Sequence, residues 1–589
     1  MTIFDVFTLL GGLAMFLYGM KLMGDALEKS AGRQLKNILA KLTSNLFNGF
    51  LLGLGVAMII QSSSATTVMV VGFVNSGIMT LHQATGVIMG ANLGTSITAW
   101  ILSLSGIESE VWYISMFKPS TFSPLLAFLG IILIMFQKNE KRKDLGMILV
   151  GFAILMTGME TMSGAVDPLA ESPEFQAVLT KFANPIVGIL IGTVFTAIIQ
   201  SSSASVGILQ ALSLTGAVSY GVAIPVIIGQ NIGTCVSAMI SSIGAGKNAR
   251  RAALVHLYFN IIAAVIVSSG FYAVNAFADF DLSHRIDPLG IAIVHTVFKL
   301  FALVILMPCS RLLEKLAMLT VPDSKNDAEQ AQLLDERFLA TPAVAMERAR
   351  TVSVEMAELS VSSLKKSLAL LSNYTDKGME AVRAEEDRVD KYEDALGTYL
   401  VKISSSELTE QDSHELTKLL HIIGDFERIS DHAVNIAATA QEMAEKKLTF
   451  SEKALHEIEI MVAAVHEILD NALKAFCDSD MKIAFAVEPL EEVIDILNAK
   501  IKKRHVARLQ RGECTIELGF VLNDLLTNLE RVSDHCSNVA GCVIEMEHDA
   551  LDLHEYLNKL KSDGNSRYTD CYNAYKAKYA LPPKDAVSV

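Results

Sequence analysis

The chain has 589 residues, 51% of them hydrophobic and 19% charged, and its mean hydropathy is +0.39. One soluble core does not grow that large and that apolar, and a formal net charge of −15 with no basic stripe to offset it excludes a nucleic-acid partner. Residues 1–320 are apolar with sparse charge and residues 323–589 are rich in Glu, Asp, Lys and Arg, which separates a membrane half from a soluble half.

In chain order, apolar runs of spanning length lie near 3–22, 84–104, 122–137, 145–160, 222–243, 252–275 and 289–310. The first opens with MTIFDVF, without a basic leader or a small-residue cleavage site, and reads as an uncleaved membrane helix. Two stretches, 45–80 and 184–219, do not fit single spans. As one helix, each stretch of roughly 36 residues would reach about 54 Å, against about 30 Å for a bilayer core. Each is interrupted by Gln-Ser-Ser-Ser-Ala, at 61–65 and 200–204. Two arms of about 15 residues meeting at such a polar tip read as a re-entrant hairpin, a form allowed at membrane depth only under cover of protein or a cavity.

The chain repeats itself at a fixed offset of 139 residues: Gln61 returns as Gln200, and Asn92 as Asn231. Gly90-Ala91-Asn92-Leu93-Gly94-Thr95 returns as Gly229-Gln230-Asn231-Ile232-Gly233-Thr234. Gly12, Gly19, Met20, Met23, Asn45 and Gly53 recur as Gly151, Gly158, Met159, Met162, Asn184 and Gly192. Repeat one covers about 8–137 and repeat two about 147–276. Close helix packing accounts for scattered small residues, but not for Gln and Asn kept at equal offset in both copies.

Charge orients the copies. Lys29, Arg33, Lys36 and Lys41 follow the first span, while their counterpart loop carries Asp167, Glu171 and Glu174 with only Lys181 basic. Basic loops face the cytoplasm, so the two copies lie in opposite orientation. Lys138, Lys141, Arg142 and Lys143, then Lys247, Arg250 and Arg251, then Arg311 and Lys315 mark further inside positions. Seven spans and two hairpins satisfy all of them with the N-terminus outside. Inverted repeats with discontinuous helices mark a secondary transporter.

Each motif offers chemistry. Ser62, Ser63 and Ser64, like Ser201, Ser202 and Ser203, present hydroxyls that donate and accept, and Gln61 and Gln200 present carboxamides. The helix N-terminus that begins each second arm favours an anion. Two tips related by pseudo-symmetry form a cradle for one tetrahedral oxyanion. Asn92, Thr95, Asn231 and Thr234 lie at G-x-N-x-G-T breaks, and Ser64, Thr66 and Ser203 stand beside the tips. Oxygen ligands of this kind suit Na⁺. The motifs contain no Arg or Lys. Co-bound cations and helix ends must therefore balance the anion, which favours cation coupling over a channel.

Residues 8–300 resemble the type II sodium/phosphate cotransporters. The marks are GGLAMFLYGMKLMGDAL (11–27), both QSSSA motifs, GANLGTS (90–96), GQNIGTC (229–235) and HLYFN (256–260). The resemblance implies sodium-driven phosphate movement by alternating access, with the paired QSSS regions forming the sodium and phosphate sites. HTVFK (295–299) looks like a variant of the family's H-x-x-F-N element with Lys299 in place of Asn, and Gly106-Ile107-Glu108 only approximates the acidic element of charge-moving members.

Residues 321–340 read as a linker, 341–555 as long amphipathic helices and 556–589 as a tail. A second repeat appears here: Glu427, Asp431, His432 and Asn435 return 103 residues on as Glu530, Asp534, His535 and Asn538. Glu386, Asp387 and Asp390 pair with Glu491, Glu492 and Asp495 upstream. E-x-x-x-D places two carboxylates on one helical face, where they repel unless a cation joins them. Asp390, Glu427, Asp431, Asp495, Glu530 and Asp534 are the candidate metal ligands, for a divalent or trivalent ion; the two histidines are not counted among them. This half resembles PhoU, a phosphate-signalling regulator of two three-helix bundles, which implies a cytoplasmic helical domain with a metal patch on each repeat. The seven cysteines show no paired spacing and read as reduced structural thiols.

The expected fold class is therefore all-α: a polytopic membrane protein of two inverted repeats with re-entrant hairpins, plus a cytosolic helical bundle. The expected function is sodium-coupled transport of inorganic phosphate in a bacterial plasma (inner) membrane, with the lipid bilayer as surroundings and a homodimer as an open arrangement. The alternatives are symport of another oxyanion or a dicarboxylate, phosphate export, and sensing. An enzyme is not expected, because no nucleophile–base pair, Walker motif or catalytic metal spacing appears.

Overall fold

The computed structural model describes residues 3–40, 45–106, 118–170, 172–322, 334–406, 408, 410–547 and 566–582. Their regular structure is helical, with no strand among them. The chain divides into two compact units, Met1–Val344 and Ala345–Val589.

The first unit contains α1 (Ile3–Ala40), α2 (Leu46–Ile60), α3 (Ser63–Asn75), α4 (Leu81–Gly94), α5 (Ser96–Ser103), α6 (Pro119–Phe136) and α7 (Glu140–Ala170). It continues through α8 (Pro173–Phe182), α9 (Pro185–Ile199), α10 (Ser202–Ser213), α11 (Tyr220–Gly233), α12 (Cys235–Ser241), α13 (Lys247–Ala278), α14 (Pro288–Leu306) and α15 (Ser310–Thr320). Among the described residues, six segments are long and apolar enough to cross a membrane: Ile3–Leu27, Leu81–Gly106, Lys141–Pro168, Tyr220–Ser241, Lys247–Ala278 and Pro288–Leu306. The seventh expected span is a shorter apolar helix, Thr121–Phe136.

The inverted relation of the repeats is visible in α1 and α7. A Cβ on Gly19 would lie 2.6 Å from the carbonyl oxygen of Gly151, and one on Gly158 would lie 2.7 Å from that of Gly12. Each contact becomes the other when a residue is exchanged for its repeat counterpart. Gly12 faces Gly158 and Gly19 faces Gly151, so the counterpart helices run antiparallel across a pseudo-two-fold axis. Backbones this close admit only hydrogen at Cα.

The arms of each interrupted stretch fold back on themselves. A Cβ on Gly53 would sit 2.0 Å from Val87 O, and one on Gly90 would sit 2.0 Å from Phe50 O. Partner numbers rise together, so α2 and α4 run parallel. The chain must therefore return between them, and α3 is the returning arm. Repeat two copies the arrangement, with Gly192 at 2.2 Å from Val226 O and Gly229 at 2.0 Å from Ile189 O. Asn45 caps α2 by accepting from Asn48 N at 2.7 Å, and Asn184 caps α9 by accepting from Ile186 N at 3.1 Å.

The stretch 321–340 does not behave as a linker along its whole length. Residues 323–333 lie outside the described residues, but Leu334–Thr341 is packed into the first unit. Phe338 is fully buried, with its ring centroid 5.0 Å from that of Phe73. Asp335, 2% exposed, accepts from Asn75 Nδ2 at 2.8 Å, and Arg337 Nε donates to Ser241 O at 2.7 Å. The boundary therefore falls at Val344 rather than 320, because these charges pair with each other and with the ends of α3 and α12.

The second unit consists of six long helices: α16 (Pro342–Leu370), α17 (Asp376–Ser404), α18 (Glu410–Lys446), α19 (Glu452–Asp478), α20 (Met481–Gln510) and α21 (Ile516–Glu547). Its core includes the tilted ring pair Phe426 and Phe476, with ring centroids 5.6 Å apart, and many buried Leu, Ile and Val residues. Part of the expected tail is α22 (Ser566–Lys578), which packs on α20 and donates Tyr568 Oη to Glu492 Oε2 at 2.8 Å. All seven cysteines are free.

Candidate functional site

The hairpin tips are built alike. Gln61 ends α2 in the left-handed region with φ 58° and ψ 19°, and Gln200 ends α9 with φ 56° and ψ 20°. Ser62 and Ser201 are extended and cap the second arms, their Oγ atoms accepting from Ala65 N at 3.1 Å and Ala204 N at 3.2 Å. The sequence treats each Ser triplet as equivalent hydroxyls. The structure divides the labour: the first serine caps, and Ser63, Ser202 and Ser203, all buried, begin the helix whose N-terminus faces the break. The tips touch, because Ser64 Oγ donates to the carbonyl oxygen of Gln200 at 3.4 Å. Thr66 Oγ1 donates to Ser62 O at 2.8 Å.

The G-x-N-x-G-T breaks lie close by. Gln61 Oε1 accepts from Thr98 Oγ1 at 3.3 Å, which joins the first tip to α5. Each break is one residue wide: Thr95 and Thr234 keep helical φ and ψ, and α5 and α12 resume immediately. Thr95 Oγ1 donates to Asn92 O at 2.8 Å and Thr234 Oγ1 to Asn231 O at 2.6 Å. The expected bare carbonyls are thus bridged by the threonines. Asn92, Thr95, Asn231 and Thr234 are all buried. Asn92 Nδ2 donates to Asn260 Oδ1 at 2.8 Å, and Asn231 Nδ2 to Ile227 O at 2.9 Å.

Repeat matching misses several polar groups here. Gln210 is fully buried, and its Nε2 reaches Ala99 O at 3.0 Å and Pro288 O at 2.9 Å. Its counterpart position is Val71, so the duplication gives no signal. Lys299, 4% exposed, points its ammonium at Thr95. His256 and His295 are buried in the same region of α13 and α14, with His256 Nδ1 and both ring nitrogens of His295 left without a hydrogen bond. The HLYFN and HTVFK elements carry that signal.

In the second unit, Glu386, Asp390 and Asp431 converge, as do Glu491, Asp495 and Asp534, with one ligand atom from each within 4.8 Å of the others. Four of the six expected ligands are in these triplets. Glu427 and Glu530 are not: Glu427 lies 3.4 Å from Arg428 Nε, and Glu530 accepts from Asn498. Their places are taken by Glu386 and Glu491, which come from a neighbouring helix. Burial, then Glu530 and Asp534, pushes the Asp495 carboxyl up to about 6. Burial and then Asp431 raise Asp390, and burial raises Asp534 against the opposing Arg531. His432 and His535 are not ligands of these triplets. They face each other with ring centroids 5.7 Å apart and bond Asn528 and Asp425.

The comparisons with known proteins agree with this division. Residues 15–164 and 154–306 match the Na+/Pi-cotransporter family, and residues 354–440 and 458–543 match the PhoU domain. YjbB of Salmonella typhimurium (strain LT2), whose name proposes inorganic phosphate export, is 26% identical over 556 residues, covering 93% of this chain and 99% of that one. The sodium-dependent phosphate transport protein 2B of Homo sapiens is 31% identical over 131 residues, covering 22% of this chain and 19% of that one. The crystal structure of PhoU from Pseudomonas aeruginosa aligns with 35% of this chain and 97% of its own at 21% identity, with a TM-score of 0.33.

Proposed function

Because the chain belongs to the Na+/Pi-cotransporter family and carries PhoU domains behind its membrane unit, we propose that it moves inorganic phosphate across a bacterial plasma membrane by sodium-coupled alternating access. One observation carries the reading: the two Ser-rich tips, related by the repeat, meet at Ser64 and Gln200. Gln61, Ser63 and Ser64 with Gln200, Ser202 and Ser203 form the phosphate cradle, and Ser62 and Ser201 hold its two helix ends in place. Backbone amides at those ends supply fixed positive potential. Asn92, Asn231 and Thr234, with Thr66, Ser64 and Ser203, supply oxygens for cations. Alternating access then moves one repeat against the other around this fixed site.

The distribution of basic loops supports a cytoplasmic second unit. Its two carboxylate triplets suit a divalent or trivalent metal, since convergent acids from adjacent helices repel until a cation joins them. A regulatory role for this unit accords with its PhoU domains. The test is labelled-phosphate flux in proteoliposomes of the full chain under imposed Na⁺, K⁺ and H⁺ gradients. Flux that follows Na⁺ supports the reading; flux indifferent to Na⁺, or competed by sulfate or dicarboxylates and not by phosphate, sinks it.

Outward movement is the second reading, favoured by the full-length similarity to a protein named for export. The same vesicles decide it: an exporter continues to release phosphate with Na⁺ at its physiological inward gradient.

A further inference from the structure

Lys299 is a cation in the wrong place for a lipid-facing helix. It is 4% exposed, and its Nζ donates to Thr95 Oγ1 at 2.5 Å. Burying an ammonium costs several kcal/mol unless something meets its charge. Among the described residues no carboxylate is bonded to Lys299. The neighbouring titratable groups, His256 and His295, cannot balance it either: deprotonated they are neutral, and protonated they would add charge. The hydroxyl oxygen of Thr95 is the group placed to meet it.

Pseudo-symmetry shows what that contact is for. Thr95 and Thr234 occupy equivalent breaks, and each donates its hydroxyl hydrogen to the preceding Asn carbonyl. The lone pairs of both hydroxyls therefore remain free to face a cation. At Thr95 the cation is present and covalently attached. Thr234 receives no hydrogen bond from a cationic side chain among the described residues. The two H-x-x-F elements reinforce the contrast. His256-Leu-Tyr-Phe-Asn260 brings a neutral carboxamide to Asn92, and His295-Thr-Val-Phe-Lys299 brings an ammonium to Thr95. Both side chains reach the first break, and Asn260 also donates to Cys235 Sγ at 3.3 Å beside the second, which therefore receives a neutral group and no ammonium.

We infer that the Lys299 ammonium is a resident substitute for one coupling sodium. It fills the cation position of the first break, while the second break, at Thr234, stays open to Na⁺. The inference rests on the sodium-coupled reading above. Two consequences follow. The transporter binds one Na⁺ fewer than two equivalent breaks would hold. It also keeps part of the positive charge that the phosphate needs when Na⁺ is absent. With one ion fewer to drive inward movement, the turning point between uptake and release shifts towards release.

The test uses purified full-length protein and two probes, ²²Na⁺ and ³²P-phosphate. Lys299→Asn and Lys299→Gln replace the ammonium by an oxygen ligand. Each should bind one more ²²Na⁺ per chain than wild type, and Thr234→Ala one fewer. Lys299→Met removes charge without adding oxygen, and should weaken phosphate binding in sodium-free buffer at least tenfold. Folding is followed by gel filtration and melting. Folded Asn and Gln variants that bind the wild-type number of Na⁺ would overturn the inference, as would wild-type phosphate binding by Lys299→Met without sodium. If none of the three Lys299 variants folds, Lys299 is a structural donor and the inference is likewise overturned. Failure of the phosphate reading looks different: ³²P would not bind at all, while the sodium counts, taken without anion, would keep their difference. Absence of ²²Na⁺ from every protein would remove sodium coupling itself and the substitution with it.

Discussion

Ser64 donates its hydroxyl hydrogen to the backbone oxygen of Gln200 at 3.4 Å, tying the tip of one hairpin to the tip of its inverted counterpart. The serines nearby divide into caps and cradle. Ser64→Ala combined with Ser203→Ala should raise the half-saturating phosphate concentration at least tenfold, because leaving a buried partner unsatisfied costs about 1–3 kcal/mol. Ser62→Ala and Ser201→Ala each remove a helix cap worth about 1 kcal/mol and should mainly lower the melting temperature. Flux and melting measured on the same preparations separate the two classes. If every variant shifts melting alone, the tips are structural.

Close backbone contact makes a sharp expectation about glycine. Gly53→Ala and Gly192→Ala place a methyl group 2.0 and 2.2 Å from carbonyl oxygens, which cannot retreat without separating two helices. Both should abolish a monodisperse peak in fluorescence-detected gel filtration. Gly55 has nothing within 4 Å of its would-be Cβ, and Gly55→Ala should leave the peak intact. Equal behaviour of Gly53→Ala and Gly55→Ala would show that α2 and α4 are not packed this way.

The carboxylate triplets carry a pH signature. Asp495 is raised from 3.8 to about 6 in the fold, mainly by burial. Between those values the folded chain holds a proton that the unfolded chain has released. This contribution to stability is therefore fully present below 3.8 and is lost as pH rises through about 6. Metal binding needs the proton gone, so its affinity should weaken as pH falls through the same window. With metal present near neutral pH, melting of the second unit should rise, and EDTA should reverse the rise. Asp495→Asn with Asp534→Asn should cancel about half of the metal effect. A melting temperature indifferent to metal and EDTA at pH 7 and 5 alike would leave these acids as ordinary surface charges.

Sidedness can be read with single cysteines on a background free of native ones. A cysteine replacing Asn139 should react with an impermeant maleimide from the cytoplasm only, and one replacing Ser283 from outside only. Both lie in short connections between apolar helices, on opposite sides by the distribution of Lys and Arg. Labelling of both from the same face would dispose of the topology.

Where the sequence repeats, it reveals most. Gly12, Gly19, Gly53 and Gly90 and their counterparts recur because backbones cross there; the offset marks the crossing points and loop charge the inversion, while the pairing and direction of the helices come from the packing. Features present once stay hidden. Gln210 crosses between elements with no twin, and Lys299 meets Thr95 across 204 residues of chain. The metal patches illustrate a different limit. E-x-x-x-D spacing links Glu427 to Asp431 and equally Glu386 to Asp390. Which of these four acids converge is decided by the packing of α17 on α18, which the spacing does not carry. Arg428 meanwhile occupies Glu427. The strip 334–341 reads as a linker because Asp335 and Arg337 look like solvated charges, yet Asp335 is buried and paired with a half-buried Arg337.

That strip is a mooring line. Asp335 is made fast to Asn75 in repeat one and Arg337 to Ser241 in repeat two, while Gly72, lacking a side chain, leaves a berth for the ring of Phe338. A chain cut at 322 would therefore not be the membrane unit alone. It would be that unit with an empty berth of apolar surface and two loose cleats. A cut after 344 keeps the berth filled. Residues 334–341 thus belong, mechanically, to the helices they follow, and anything that pulls on them pulls on both repeats at once.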